Sequence, residues 1–107
     1  MRLIGLVETF HQLRYNMKLK ICGLTYEVKY KTAEEMQGTI GLARFNDQEI
    51  WIGNDFTEQT KKIALWHETL HILSDAYNLK MNEEHVKFLT HALIALVEDN
   101  LEVFKGK

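Results

Sequence analysis

The chain has 107 residues, of which 46% are hydrophobic and 26% charged, with a formal net charge of -2. These are the proportions of an ordinary water-soluble globule, and they exclude a disordered tail, a fibrous repeat and a disulfide scaffold. At this length roughly two-thirds of the unfolded surface can be buried, enough for one modest core and one domain. The small negative charge carries no footprint of a nucleic-acid or anionic-membrane partner.

Residues 1–16 place Leu3, Leu6, Val7, Phe10 and Leu13 at helical spacing, which allows a short extra helix with no clear cap. Glu8 interrupts the opening apolar stretch, and no small-residue cleavage pattern of a signal peptide follows. From Lys18 the pattern Lys-Leu-Lys-Ile-Cys alternates, Gly23 punctuates, and Thr25 to Tyr30 alternates again, predicting two strands around a turn. Cys22, the sole cysteine, allows no internal disulfide, points to a reducing compartment and is expected to be a small buried hydrophobe. A third strand is expected over 39–45. Asn46-Asp47 supplies turn chemistry, and Glu49 to Gly53 predicts a fourth strand.

Beyond residue 55 the apolar period becomes helical. Asp55 or Thr57 caps a first helix running to about Tyr77, with Ile63, Trp66, Leu70, Leu73 and Tyr77 on one stripe. Asn82 is the expected cap of a second helix, with Glu83 and Glu84 in its first turn at the positive end of the helix dipole. Its apolar face is expected to be Val86, Leu89, Leu93, Leu96 and Val97. The longest apolar run, Ala92 to Val97, is far short of a membrane span. The fold expected is therefore α+β: a mainly antiparallel sheet of three or four strands followed by two packed helices. The compartment expected is the cytoplasm.

The first helix carries His67-Glu68-Thr69-Leu70-His71, an H-E-x-x-H pattern. Four residues are slightly more than one helical turn, so both imidazoles leave the same face and can grip one metal ion. Glu68 lies about 100° further round, badly placed as a ligand and well placed to take a proton from a metal-bound water. Two neutral imidazoles favour Zn2+, and a catalytic zinc keeps an open position. Ala64 and Ser74 share the histidine face and leave room for metal and substrate.

A third ligand should come from the second helix. Glu84 shares a face with Phe88, His91 and Ala95 and is the first choice, ahead of His91 and His85. Glu83 lines up with Lys87 and Thr90, which makes it a solvated first-turn acid on that reading. His85 falls with Leu89, Ala92 and Leu96, where a core histidine is the simpler interpretation. Asp75, four residues after His71, can orient an imidazole but is more simply an acid near a helix end. Tyr77 is more simply core than an oxyanion donor, and Trp51 and Trp66 are core or rim.

An H-E-x-x-H helix followed by an acid at the start of another helix resembles the gluzincin class of zinc metallopeptidases. The general likeness is to compact ImmA/IrrE-type and SprT-like domains. More specifically, the chain is similar to small phage and prophage proteins that run from a strand pair like Gly23-Leu-Thr-Tyr-Glu-Val through an Ile50-Trp-Ile52 strand to the motif helix. The likeness covers about residues 18 to 100. It implies a small zincin-like fold, zinc held by His67, His71 and Glu84 (or Glu83, one residue earlier), and Glu68 as general base. Only twelve residues separate His71 from Glu84, fewer than in larger relatives.

The function expected is a minimal zinc-dependent peptidase acting on a peptide or protein, with the edge of the 49–53 strand pairing an extended substrate. The alternative is a catalytically silent, zinc-stabilised binding module of phage regulation or assembly. A metal-free interaction domain is the third possibility.

Overall fold

The fold is that of a computed structural model, which describes residues 17–106. The helix expected in residues 1–16 lies outside the described residues. The expected α+β architecture is present: a four-stranded sheet followed by two packed helices.

Strands β1 (Met17–Ile21) and β2 (Leu24–Lys31) form an antiparallel hairpin with Ile21 opposite Leu24. The two residues between them, Cys22 and Gly23, both have positive φ, 52° and 81°. Two consecutive left-handed residues make the turn whose twist matches a hairpin, and Gly23 adopts that conformation without a steric cost. Cys22 is thus exposed at the turn, not buried as its alternating neighbours suggested.

Leu19, Ile21, Tyr26 and Val28 face inward while Lys18, Lys20, Glu27 and Lys29 face out, so the period-two pattern became two half-buried strands. A single turn of helix, α1 (Ala33–Met36), follows β2. Thr32 caps it, accepting from Glu35 N–H, while the Glu35 carboxylate accepts from Thr32 N–H at 3.0 Å. This reciprocal capping box is readable as Thr-x-x-Glu in the sequence.

Strands β3 (Gly41–Arg44) and β4 (Glu49–Gly53) form the second antiparallel pair. β4 then inserts beside β2 in parallel, with Val28 opposite Ile50 and Tyr30 opposite Ile52. The sheet order is β1-β2-β4-β3. The 49–53 strand is therefore interior, and the edge beside the helices is β3. This corrects the expectation that Glu49–Gly53 offers a free edge: its N–H and C=O groups are taken by neighbours on both sides.

Thr57, rather than Asp55, caps α2 (Glu58–Ala76), its hydroxyl accepting from Thr60 N–H. Asn82 caps α3 (Glu83–Asp99), accepting from His85 N–H at 2.8 Å. A last turn, α4 (Leu101–Phe104), completes the described chain.

The core joins Leu19, Ile21, Tyr26, Val28, Ile50 and Ile52 of the sheet to Ala64, Leu65, Trp66 and Ile72 of α2 and Ile94 and Val97 of α3. Val28, Ile50, Ile52 and Leu65 are fully buried. Each such side chain contributes about 1.5–3 kcal/mol when removed from water. The site-bearing helix is thereby fixed on the sheet by its own inner face. Tyr77, expected on that face, lies past the last helical turn and is 64% exposed.

The inner stripe of α3 differs from the expected one. Its buried residues are Val86, Thr90, Ile94 and Val97, while Leu89 and Leu96 are exposed. Thr90 is buried because its hydroxyl donates to Val86 O at 2.8 Å, which satisfies the polar atom inside its own helix. Among the described residues, no helix is long and apolar enough to cross a membrane.

Candidate metal centre

His67 and His71 leave α2 on the side where the helix faces β3 and the start of α3. Their Nε2 atoms stand 3.2 Å apart, and the rings meet edge-on with centroids 4.8 Å apart. Both side chains are partly exposed, as groups that must meet a ligand should be.

The acid that closes the cluster is Glu83. Its Oε1 lies 2.5 Å from His67 Nε2 and its Oε2 lies 3.0 Å from His71 Nε2. The three donors lie within 4.8 Å of one another, a grouping that can hold a metal ion. Glu84, the first choice from the sequence, is exposed and does not join it, and neither do the exposed His85 and His91. The reason is the phase of α3: Glu83 sits at the head of the stripe Val86–Thr90–Ile94–Val97 that packs against α2, whereas Glu84 is turned a further 100° away. Asp75 is exposed, as expected of an acid near a helix end, and the carboxylate that meets His71 is Glu83.

Two local devices bring Glu83 back to α2. Leu79 N–H donates to Ser74 O at 2.9 Å, and Met81 N–H donates to Ser74 Oγ at 3.0 Å, so the connection between the helices is tied to the last turns of α2. Asn78 and Lys80 take positive φ, 53° and 56°, to complete the reversal. The Asn82 cap then aims the first turn of α3 at the histidines. Ser74 is thus a buried anchor as well as a small neighbour of the site.

The donor set is one that could hold a metal ion. It has two imidazole nitrogens and one carboxylate, the three-ligand composition of catalytic zinc sites with a fourth position left open. Nitrogens each about 2.0–2.1 Å from a tetrahedral ion stand roughly 3.3 Å apart. The 3.2 Å separation of the His67 and His71 nitrogens matches that spacing.

Glu68 points elsewhere, toward β3. Burial raises its carboxyl above the ordinary range, opposed by the neighbouring His67 and His71, assisted by the Glu83 charge, and opposed again by a hydrogen bond from the Ala43 backbone. A carboxylate held beside such a donor cluster in a partly dry cleft is placed to accept a proton. The cleft has two chambers that share Glu68 and His71. One, of about 540 Å³, is walled by Ile40, Gly41, Thr60, Ile63 and Ala64. The other, of about 400 Å³, is walled by Leu42, Ala43, Phe45, Ser74, Asp75 and Lys80. Strand β3 runs along both. Sequence reasoning missed Gly41 and Ala43 because their part depends on which strand forms the edge.

No protein-family model, curated protein or solved structure matches this chain.

Proposed function

We propose that this protein is a minimal zinc-dependent peptidase, with zinc held by His67, His71 and Glu83 and Glu68 acting as general base. The observation that carries this reading is the juxtaposition of a three-donor cluster with a second, half-buried carboxylate, that of Glu68, which is not among the donors. A purely structural metal has no use for that carboxylate.

Zinc in such a site supplies a Lewis acid that polarises a carbonyl and eases the ionisation of water. The chain's own residues do the rest. Glu68 takes the proton from the attacking water and can hand it to the departing amine, because it lines both chambers. The cleft extends to either side of Glu68 and His71, which suits an extended peptide laid along β3 better than a compact small molecule. Ile40, Ile63 and Ala64 favour an apolar side chain in the larger chamber.

The test is Glu68→Gln in the full chain, assayed on unfolded casein and a mixed peptide library. Hydrolysis is expected to fall by about 10²–10⁴-fold, the contribution of a positioned general base, with zinc still stoichiometric. Undiminished hydrolysis would remove Glu68 from the mechanism. Tight zinc with no hydrolysis by the wild type would instead make the metal a folding element of a binding module.

A further inference from the structure

Glycine inside a strand weakens it, and β3 is a short edge strand that begins with one. Gly41 does not have the positive φ that would require glycine for the backbone's sake. The space around it explains the choice. A Cβ at Gly41 would lie 3.1 Å from Glu68 Cγ, 3.2 Å from Glu68 Oε2 and 3.4 Å from Ala64 Cβ. The first two are closer than a carbon ordinarily tolerates, so the Glu68 side chain would have to give way.

The strand register supplies the second half of the argument. Gly53 N–H donates to Ile40 O at 2.8 Å, which makes Ile40 a hydrogen-bonded partner of β4. In an antiparallel ladder these pairs alternate, so Leu42 and Arg44 also turn their polar groups to β4 while Gly41 and Ala43 turn theirs outward. The outward Ala43 N–H meets the Glu68 carboxylate. The strand therefore meets Glu68 at two points: an absent side chain at Gly41 that lets it approach, and an outward N–H at Ala43 that favours its ionised form.

We infer that Gly41 is a positioning residue for Glu68, acting by letting the β3 edge close on the carboxylate so that Ala43 N–H sets its aim. The catalytic consequence rests on the peptidase reading above; the positioning itself does not. A base must be held to within about 0.5 Å of its productive place, and a displacement of a few tenths of an ångström at Glu68 uses up most of that tolerance.

The experiment compares full-length wild type, Gly41→Ala, Gly41→Val and Glu68→Ala, each zinc-loaded and metal-free. Amide hydrogen exchange is read at Ala43, with Leu42 as the internal control because its N–H belongs to the ladder with β4. Zinc content and hydrolysis of labelled casein are read in parallel. Ala43 is expected to be protected in the wild type and exposed to exchange in Glu68→Ala and both Gly41 variants, with Leu42 and zinc stoichiometry unchanged. Gly41→Ala is expected to lower kcat about tenfold at unchanged KM, and Gly41→Val more. If Gly41→Val fails to fold, Gly41→Ala, which needs only a small shift, carries the test. Wild-type exchange at Ala43 as fast as in Glu68→Ala, or full protection and full kcat in Gly41→Ala, overturns the inference. Loss of Ala43 protection in Gly41→Ala from a wild type that hydrolyses nothing upholds the positioning while the peptidase reading falls.

Discussion

The carboxylate of Glu83 reaches across from the first turn of α3 to the imidazole of His67 on α2, Oε1 2.5 Å from Nε2. Its second oxygen stands 3.0 Å from His71 Nε2, so one residue spans both rings. Glu83→Gln is accordingly expected to weaken zinc binding by more than about 100-fold, the upper end of what losing even an outer-sphere partner costs. Glu84→Gln is expected to leave it unchanged. Competition titration against a chelator of known affinity separates the two, and equal losses would contradict the assignment.

The position of Glu83 depends on the Asn82 cap, whose side chain accepts from His85 N–H at 2.8 Å. Asn82→Ala should destabilise the fold by about 1 kcal/mol, the usual cost of a lost cap. For a domain of this size that lowers Tm by about 4–8 °C. A melt of the metal-free protein measures it without interference from ligand linkage, and an unchanged Tm would show that the cap is not holding the helix start.

The fold was legible where its causes are local. Period-two alternation located β1, β2 and β4, and the apolar stripe with Thr57 and Asn82 located α2 and α3. The H-E-x-x-H spacing placed His67 and His71 together for the same reason. What stayed hidden is non-local. Nothing in residues 49–53 says that this strand inserts beside β2 in parallel and leaves β3 at the edge. The choice between Glu83 and Glu84 turned on Thr90: a threonine counts as polar in a sequence, yet here it bonds its own helix and sits in the core, rotating the inner stripe toward Glu83. The Thr32–Glu35 capping box was a readable local signal for α1 that the alternation of β2 overshadowed.

Leu65 of α2 is fully buried and belongs to the core cluster that unites the sheet with both helices. Leu65→Ala is expected to cost about 2–5 kcal/mol through lost transfer energy and the cavity left behind. Chemical denaturation with and without zinc is the measurement. A cost below about 1 kcal/mol would mean that the core around α2 collapses to fill the gap.

Glu49 sets an acid dependence of stability. The hydrogen bond from Lys29 holds its carboxyl below the ordinary value of 4.5, helped by the Trp51 indole N–H and opposed by desolvation. A group with a depressed folded-state pKa contributes stability that is complete above its unfolded value and is lost as pH falls through the folded one. Stability should therefore decline as the pH drops below 4.5, and more shallowly in Glu49→Gln, which has no carboxyl to protonate at this position. Parallel acid-denaturation curves for the two proteins would refute the linkage.

If His67, His71 and Glu83 hold one zinc ion, elemental analysis of untagged protein reveals it without any assay of activity. Wild type and His71→Ala are equilibrated with zinc, freed of excess metal and confirmed as folded before measurement. One zinc per wild-type chain is expected, with its loss in the variant. Folded wild type that retains no zinc, or a variant that retains it fully, would contradict it.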